Sequence, residues 1–217
     1  MSTVVAQNLI NRAVVVLQDT TNVRWPETEL LDWLNDGQRE CALLAPDAYT
    51  EEDTVTLGGG SAQSIPADGI RLVDVPHNGS TGSPGRAIRP VDRAVLDAQR
   101  PDWHNETASG TVKHYTFDDR NPTRFYVYPP ATGGATVTVV SSKSPPDVAA
   151  GDVIRVEDVY ANAILDYMLY RAYSKDAEYA GNDNRAVQHF QAFQTSLGAK
   201  PGADASVEPS ITRRPQE

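Results

Sequence analysis

The sequence predicts an α+β fold: an antiparallel helical bundle built from N- and C-terminal helices, a small β-sandwich or barrel inserted between them, and an extended C-terminal tail. Three observations lead there. Apolar residues recur at helical spacing in residues 3–49 and again after about residue 156. Between them the chain changes to short β-rich runs punctuated by Gly, Pro, Ser and Asp. After residue 198 apolar residues become sparse, and Pro201, Pro209 and Pro215 interrupt the chain. The expected divisions are residues 1–49 and 147–198 for the bundle, 50–146 for the insert and 199–217 for the tail.

The first helix is expected over residues 3–18. Ser2 is placed to cap it, and Val5, Leu9, Ile10, Ala13, Val16 and Leu17 form its apolar stripe. The polar run from Asp19 to Arg24 reads as a turn. Pro26 then suits the opening of a second helix, and Glu27 and Glu29 complement its N-terminus. Leu30, Leu31, Leu34, Cys41 and Leu44 supply its inner face, and Pro46 ends it.

In the insert, the best strands are Val55 to Leu57, Ile70 to Val75, Thr111 to Phe117, Arg124 to Tyr128 and Thr136 to Ser142. Gly133-Gly134 suits a hairpin or a longer bent connection. Residues 91–99 suggest one short helix with Val91, Val95 and Leu96 inside. A long helix is expected from Glu157 to Ala180, broken at Gly181-Asn182-Asp183, and a last one from about Asn184 to Leu197, with Gly198 as its cap.

The stretch from Val159 to Ala180 is dominated by Ala, Val, Ile, Leu, Met and Tyr. At ~100° per residue, Tyr160, Ile164, Tyr167 and Met168 share one side, while Leu169, Tyr173 and Ala180 lie roughly opposite. A helix apolar on both sides needs cover on both sides. Tyr160, Ile164, Tyr167, Leu169, Tyr170 and Tyr173 are therefore the candidates for packing against a neighbouring subunit, with cover from the chain's own insert as the alternative.

The 217 residues carry a formal net charge of −10, which disfavours a surface that grips nucleic acid. A lone cysteine, Cys41, excludes an intrachain disulfide framework and reads as a small core residue. No signal peptide and no membrane-spanning run is expected, and the sequons at Asn78 and Asn105 read as chance matches. Chemistry is equally sparse. Gly58-Gly59-Gly60-Ser61 lacks the lysine and spacing of a phosphate loop and reads as a turn. His77, His104, His114 and His189 show no metal-ligand spacing. No cofactor, metal or catalytic residue is expected.

Two segments resemble the head-to-tail adaptor proteins of tailed bacteriophages, the connector or gatekeeper type exemplified by tail tubular proteins. The run from Val16 to Glu40 carries the pattern W-x-x-x-E-L-x-x-W-L-N-x-G-Q-R-E from Trp25 onward. The run from Tyr160 to Asp176 carries A-I-x-x-Y-x-L-x-R-A-Y-x-K-D from Ala163 onward, and Ala186 to Phe193 follow in the next helix. Together they cover about a third of the chain. The resemblance implies a non-enzymatic structural protein at the virion neck, made in the host cytoplasm. It implies a homo-oligomeric ring, usually of twelve copies, between the portal protein and a tail nozzle or tail tube protein. Double-stranded DNA would pass its channel without specific binding, and a tail fibre is a further partner. It also implies that the C-terminal tail reaches the portal. In that tail Val207 and Ile211 would fill apolar pockets, and Arg213 and Arg214 would pair with acids. An acidic channel repels DNA, and Asp32, Asp36, Glu40, Asp166 and Asp176 are the helical candidates for lining it.

Two other readings compete. A virion-associated glycan hydrolase would need acids such as Asp74, Asp118 and Asp119 to converge in a cleft. A fibre-docking or carbohydrate-binding module would present Trp103, Tyr115 and Tyr126 as a stacking surface.

Overall fold

A computed structural model describes residues 2–118, 120–176, 178–179 and 181–207, with the side chains of residues 199–207 excepted. Among them are five α-helices and two small sheets, an α+β fold. The chain divides into a helical unit, residues 1–45 and 146–217, and a β unit, residues 46–145. No helix among the described residues is long and apolar enough to cross a membrane.

The helical unit contains α1 (Ala6–Leu17) and α2 (Glu27–Leu44), and later α4 (Ala161–Lys175) and α5 (Asn182–Val207). Helix α1 buries Ala6, Leu9, Ile10, Ala13 and Leu17, the i, i+3, i+4 spacing of one face, whereas Val16 is exposed. Ser2 does not cap it. Its hydroxyl donates to Asp158 Oδ1 at 2.6 Å, and Thr3 donates to the same carboxylate through both its amide and its hydroxyl. The Ser2 and Thr3 hydroxyls, with the Thr3 and Val4 amides, hold the Asp158 carboxyl well below the usual carboxylate range. An acid 155 residues away in sequence thus fastens the N-terminus.

Helix α2 starts one residue later than proline placement predicts, with Pro26 as its flanking residue. Leu30, Leu34 and Cys41 face inward, while Leu44 is exposed. Burial pushes the Cys41 thiol up to about 12, so it behaves as a small apolar side chain. The long helix expected from Glu157 begins instead at Ala161, after a turn of 3-10 helix over Asp158–Tyr160. Helix α5 runs past its expected end at Leu197 to Val207. Ala199, Ala203 and Ala205 favour the extension, whereas Gly198, Pro201 and Gly202 oppose it, so propensity does not account for it. The extended tail expected from residue 199 therefore begins, at the earliest, after Val207.

The β unit has one sheet ordered β1 (Thr50–Thr56), β9 (Thr136–Lys143), β4 (His77–Ser80) and β5 (Ser83–Ala87), with β3 (Gly69–Asp74) also paired to β9. The second sheet is ordered β2 (Gly60–Ser64), β8 (Arg124–Ala131), β7 (His114–Phe117) and β6 (Arg89–Pro90). The short helix α3 is Arg93–Gln99, capped by the Asp92 carboxylate, which accepts from the Ala94 amide at 2.8 Å. Its Leu96 is buried but Val95 is exposed.

One apolar cluster draws on both sheets. Leu72, Val137 and Val139 come from the first, and Tyr115, Phe125 and Val127 from the second. Each fully buried side chain of this size stabilises the unit by about 1.5–3 kcal/mol. Strands β8 and β9 do not pair with each other, so the Gly133-Gly134 segment is a bent connection between sheets rather than a hairpin. Gly134 has φ +92°, which supplies the bend without steric cost.

Asn78 lies within β4 and is buried. Its Nδ2 donates to the carbonyls of Arg86 and Val112, both at 2.8 Å, and its Oδ1 accepts from the Val112 amide at 2.7 Å. That side chain is fully occupied, so the sequon around it is structural. The Gly58 turn is closed in the same manner by Gln63, which accepts from the Gly58 amide at 2.9 Å and donates to the Gly58 carbonyl at 3.0 Å.

Candidate functional site

The two sequence signatures meet in the helical unit, and their residues have assignable tasks. The polar turn after α1 is organised by Asp19. Its carboxylate accepts from the amides of Val23 at 3.1 Å, Arg24 at 2.8 Å and Trp25 at 3.0 Å. These bonds, the one from Trp25 foremost, hold its carboxyl below the usual range. The turn delivers Trp25 to α4, where the indole donates to the Ala172 carbonyl at 3.1 Å in a buried setting. Arg24 lies between the rings of Trp25 and Tyr179, 5.4 and 5.3 Å from their centroids, and pairs with Asp176.

The N-x-G-Q-R part of α2 holds the segment that re-enters the unit at residue 146. Asn35 Nδ2 donates to the Val148 carbonyl at 3.2 Å, and Asn35 Oδ1 accepts from the Val148 amide at 3.0 Å. Gln38 donates to Asn35 at 3.2 Å and accepts from the Arg155 amide at 2.6 Å. Arg39 reaches both Asp147 and Asp36. Two buried polar side chains thus satisfy backbone groups of a segment whose regular pairing, among the described residues, is an isolated bridge between Val153 and Val5. Gly37 sits between them because α4 comes close. A methyl group there would stand 3.1 Å from the Tyr167 ring.

The A-I-x-x-Y pattern of α4 is read by α5 of the same chain. Tyr167 packs on Phe193 with ring centroids 5.3 Å apart, Tyr170 on Phe190 at 4.9 Å, and Tyr173 on His189 at 5.6 Å. His189 also bonds Asp166 at 2.9 Å. Tyr160, Ile164, Tyr167, Leu169 and Tyr173 are buried inside the unit and Tyr170 is half-buried. The side expected to need a neighbouring subunit is covered by α5, which the sequence shows only as a weakly patterned helix.

The channel-lining candidates separate into two groups. Asp36, Asp166 and Asp176 are half-buried and engaged by Arg39, His189 and Arg24. Asp32 is exposed and Glu40 half-exposed, and neither forms an ion pair among the described residues. Of the tail residues, Val207 is the last of α5 and its side chain lies outside the described atoms. Ile211, Arg213 and Arg214 lie outside the described residues altogether.

The stacking surface expected in the β unit is not presented. Trp103 is fully buried, stacked on His104 at 3.7 Å, with its indole donating to Asp97 at 2.8 Å. Tyr115 is buried too, and its hydroxyl donates to Asp74 at 2.7 Å. Only Tyr126 is half-exposed. Asp74 therefore serves as a hydrogen-bond acceptor for the core tyrosine. Asp118 is exposed and accepts from the Arg120 amide at 2.9 Å, a turn contact, while Asp119 lies outside the described residues.

No curated protein matches the sequence. The model of the SU10 adaptor protein family, however, matches residues 6–214, which takes in both signatures, the whole β unit and most of the C-terminal segment. By that match the chain belongs to the SU10 adaptor protein family, a family of phage head-to-tail adaptors.

Proposed function

We propose that the chain is a non-enzymatic structural subunit of the phage neck that forms a ring, of twelve copies, between the portal and the tail nozzle or tube. The observation that carries this reading is the extent of the family match. It continues through α5 to residue 214 and so includes Ile211, Arg213 and Arg214. A segment poor in apolar residues cannot supply its own core, but it can order on a partner and cover a large surface with few residues. The portal is that partner, with Val207 and Ile211 as apolar anchors and the two arginines as charge-assisted donors to acids.

On this reading the helices form an antiparallel bundle and the β unit is a sandwich, supported by an apolar cluster shared between its sheets. The bundle faces the DNA channel through unpaired acids. Asp32 and Glu40 are the best placed, because Asp36, Asp166 and Asp176 are already engaged by His189 and arginines. An acidic wall keeps the duplex from sticking during packaging and ejection. The β unit meets tail components, a nozzle or tube protein first and a fibre second.

Phage propagated without this chain is expected to yield DNA-filled heads lacking tails, seen by electron microscopy of the lysate. Tailed, infectious particles without the chain would contradict the proposal.

A further inference from the structure

Three basic side chains of this acidic protein meet at one concavity. Arg86, Arg89, Lys113 and His114 line a concave patch of about 340 Å³ on the β unit. They come from separate parts of the fold: Arg86 from β5, Arg89 from β6, Lys113 from the residue just before β7 and His114 from the first residue of β7. The backbone brings them together. The Arg89 amide donates to the Lys113 carbonyl at 3.2 Å, and Arg89 stands opposite His114 in the parallel β6–β7 register.

Among the described residues, none of the three cations forms an ion pair. Lys113 influences Glu106 only through space, because Glu106 is bonded by Arg100 at 3.0 Å and by the Tyr128 hydroxyl at 3.0 Å. The His114 Nδ1 atom is buried without a hydrogen-bond partner there. A charge on an exposed edge strand discourages sheet extension, which accounts for Arg86 on β5. It does not account for Arg89 and Lys113 arriving at the same cavity from other segments. Unpaired like charges held in one concavity raise the local potential and favour an anionic partner.

The chain carries a matching surface. Strand β1 ends the same sheet at the side opposite β5 and presents Glu51 and Glu52, both exposed. Beneath it the nearly buried Lys143 pairs with Glu51 at 3.0 Å, Asp53 at 2.9 Å and Asp68 at 2.9 Å. One lysine against three acids leaves that edge negative, and Glu52 adds to it from the other face of the strand. The β unit therefore carries an acidic strand edge at β1 and, where β5 of that sheet meets β6 and β7 of the other, a basic concavity.

We infer that the acidic β1 edge of one copy docks into the Arg86–Arg89–Lys113 groove of the next. The inference rests on the ring reading given above and names the contact that would close such a ring. Two different patches meet, so the contact is heterologous, and every copy can offer both at once. Charge complementarity of this kind fixes register and partner choice, and salt screens it.

The test uses full-length chain assembled on portal rings and three variants: Arg86→Glu, Glu52→Arg and the two combined. Glu52 is chosen because it lies outside the Lys143 cluster. Each single reversal places like charges in every contact and is expected to raise the concentration needed for a full ring by about tenfold. The combined variant restores opposite charges in every contact and should return to within about threefold of the unmodified chain. Single reversals without effect, or a combined variant no better than the worse single one, would overturn the inference while leaving the ring in place. Failure of the unmodified chain to form a ring would instead remove the reading beneath it. If Arg86→Glu abolished retention of a short DNA duplex and left ring formation unchanged, the groove would be a nucleic-acid site and the inference wrong.

Discussion

Replacing Asn35 by alanine is expected to destabilise the helical unit by about 2–4 kcal/mol, a loss comparable to truncating a buried leucine. Asn35 is buried and satisfies both backbone groups of Val148 as well as the Gln38 amide. Alanine leaves the buried Val148 amide and carbonyl without these partners, and each orphaned group costs about 1–3 kcal/mol. Gln38 would also lose the bond that orients it toward the Arg155 amide. Aspartate is no rescue, because it keeps the acceptor, loses the donor and buries a charge. Denaturant unfolding of the full chain measures this, and a shift below about 0.5 kcal/mol would show that the segment 147–155 is held by something else.

Cutting the chain after Leu197 is expected to weaken portal binding by more than about 100-fold while leaving thermal unfolding nearly unchanged. Phe193 and Leu197, the last buried side chains described in α5, both remain in the cut chain. What it removes is the segment carrying Val207, Ile211, Arg213 and Arg214. Arg213→Ala together with Arg214→Ala should fall between, at about tenfold, since two charge-assisted bonds are lost but the apolar anchors remain. Equal affinity of the cut and full-length chains would move the portal contact to the folded units.

Much of this fold was legible because its helices obey one period. Leu9, Ile10 and Ala13, or Leu30, Leu34 and Cys41, declare a buried face by spacing alone. Strands β8 and β9 are equally plain from their β-branched and aromatic runs. Strands β2, β4 and β5 were not legible. Gly-Ser-Ala-Gln-Ser, His-Asn-Gly-Ser and Ser-Pro-Gly-Arg-Ala carry none of the β-branched or aromatic residues that mark a strand, and they become strands through pairing with their neighbours. The cover of α4 was misread for a related reason. Helix α5 has a diffuse pattern, and its Phe190 and Phe193 look like isolated aromatics until the tyrosines of α4 are set against them.

The polar clamp had a readable signal. Asn35 and Gln38 fall on the same side of α2 as Leu34 and Cys41, and polar residues on a buried face need partners. Which partners they take depends on where the chain returns after the β unit, and no local pattern carries that. The basic groove was likewise hidden, because Arg86, Arg89 and Lys113 converge only through the β5–β6 passage and the β6–β7 pairing.

The measurement that tests the adaptor account most directly is the mass of the complex formed when full-length chain is mixed with cognate portal rings, read by native mass spectrometry. The account expects a discrete product in which a full ring of copies adds to each portal, with partly filled rings rare. Portal rings that keep their own mass at every chain concentration would contradict it.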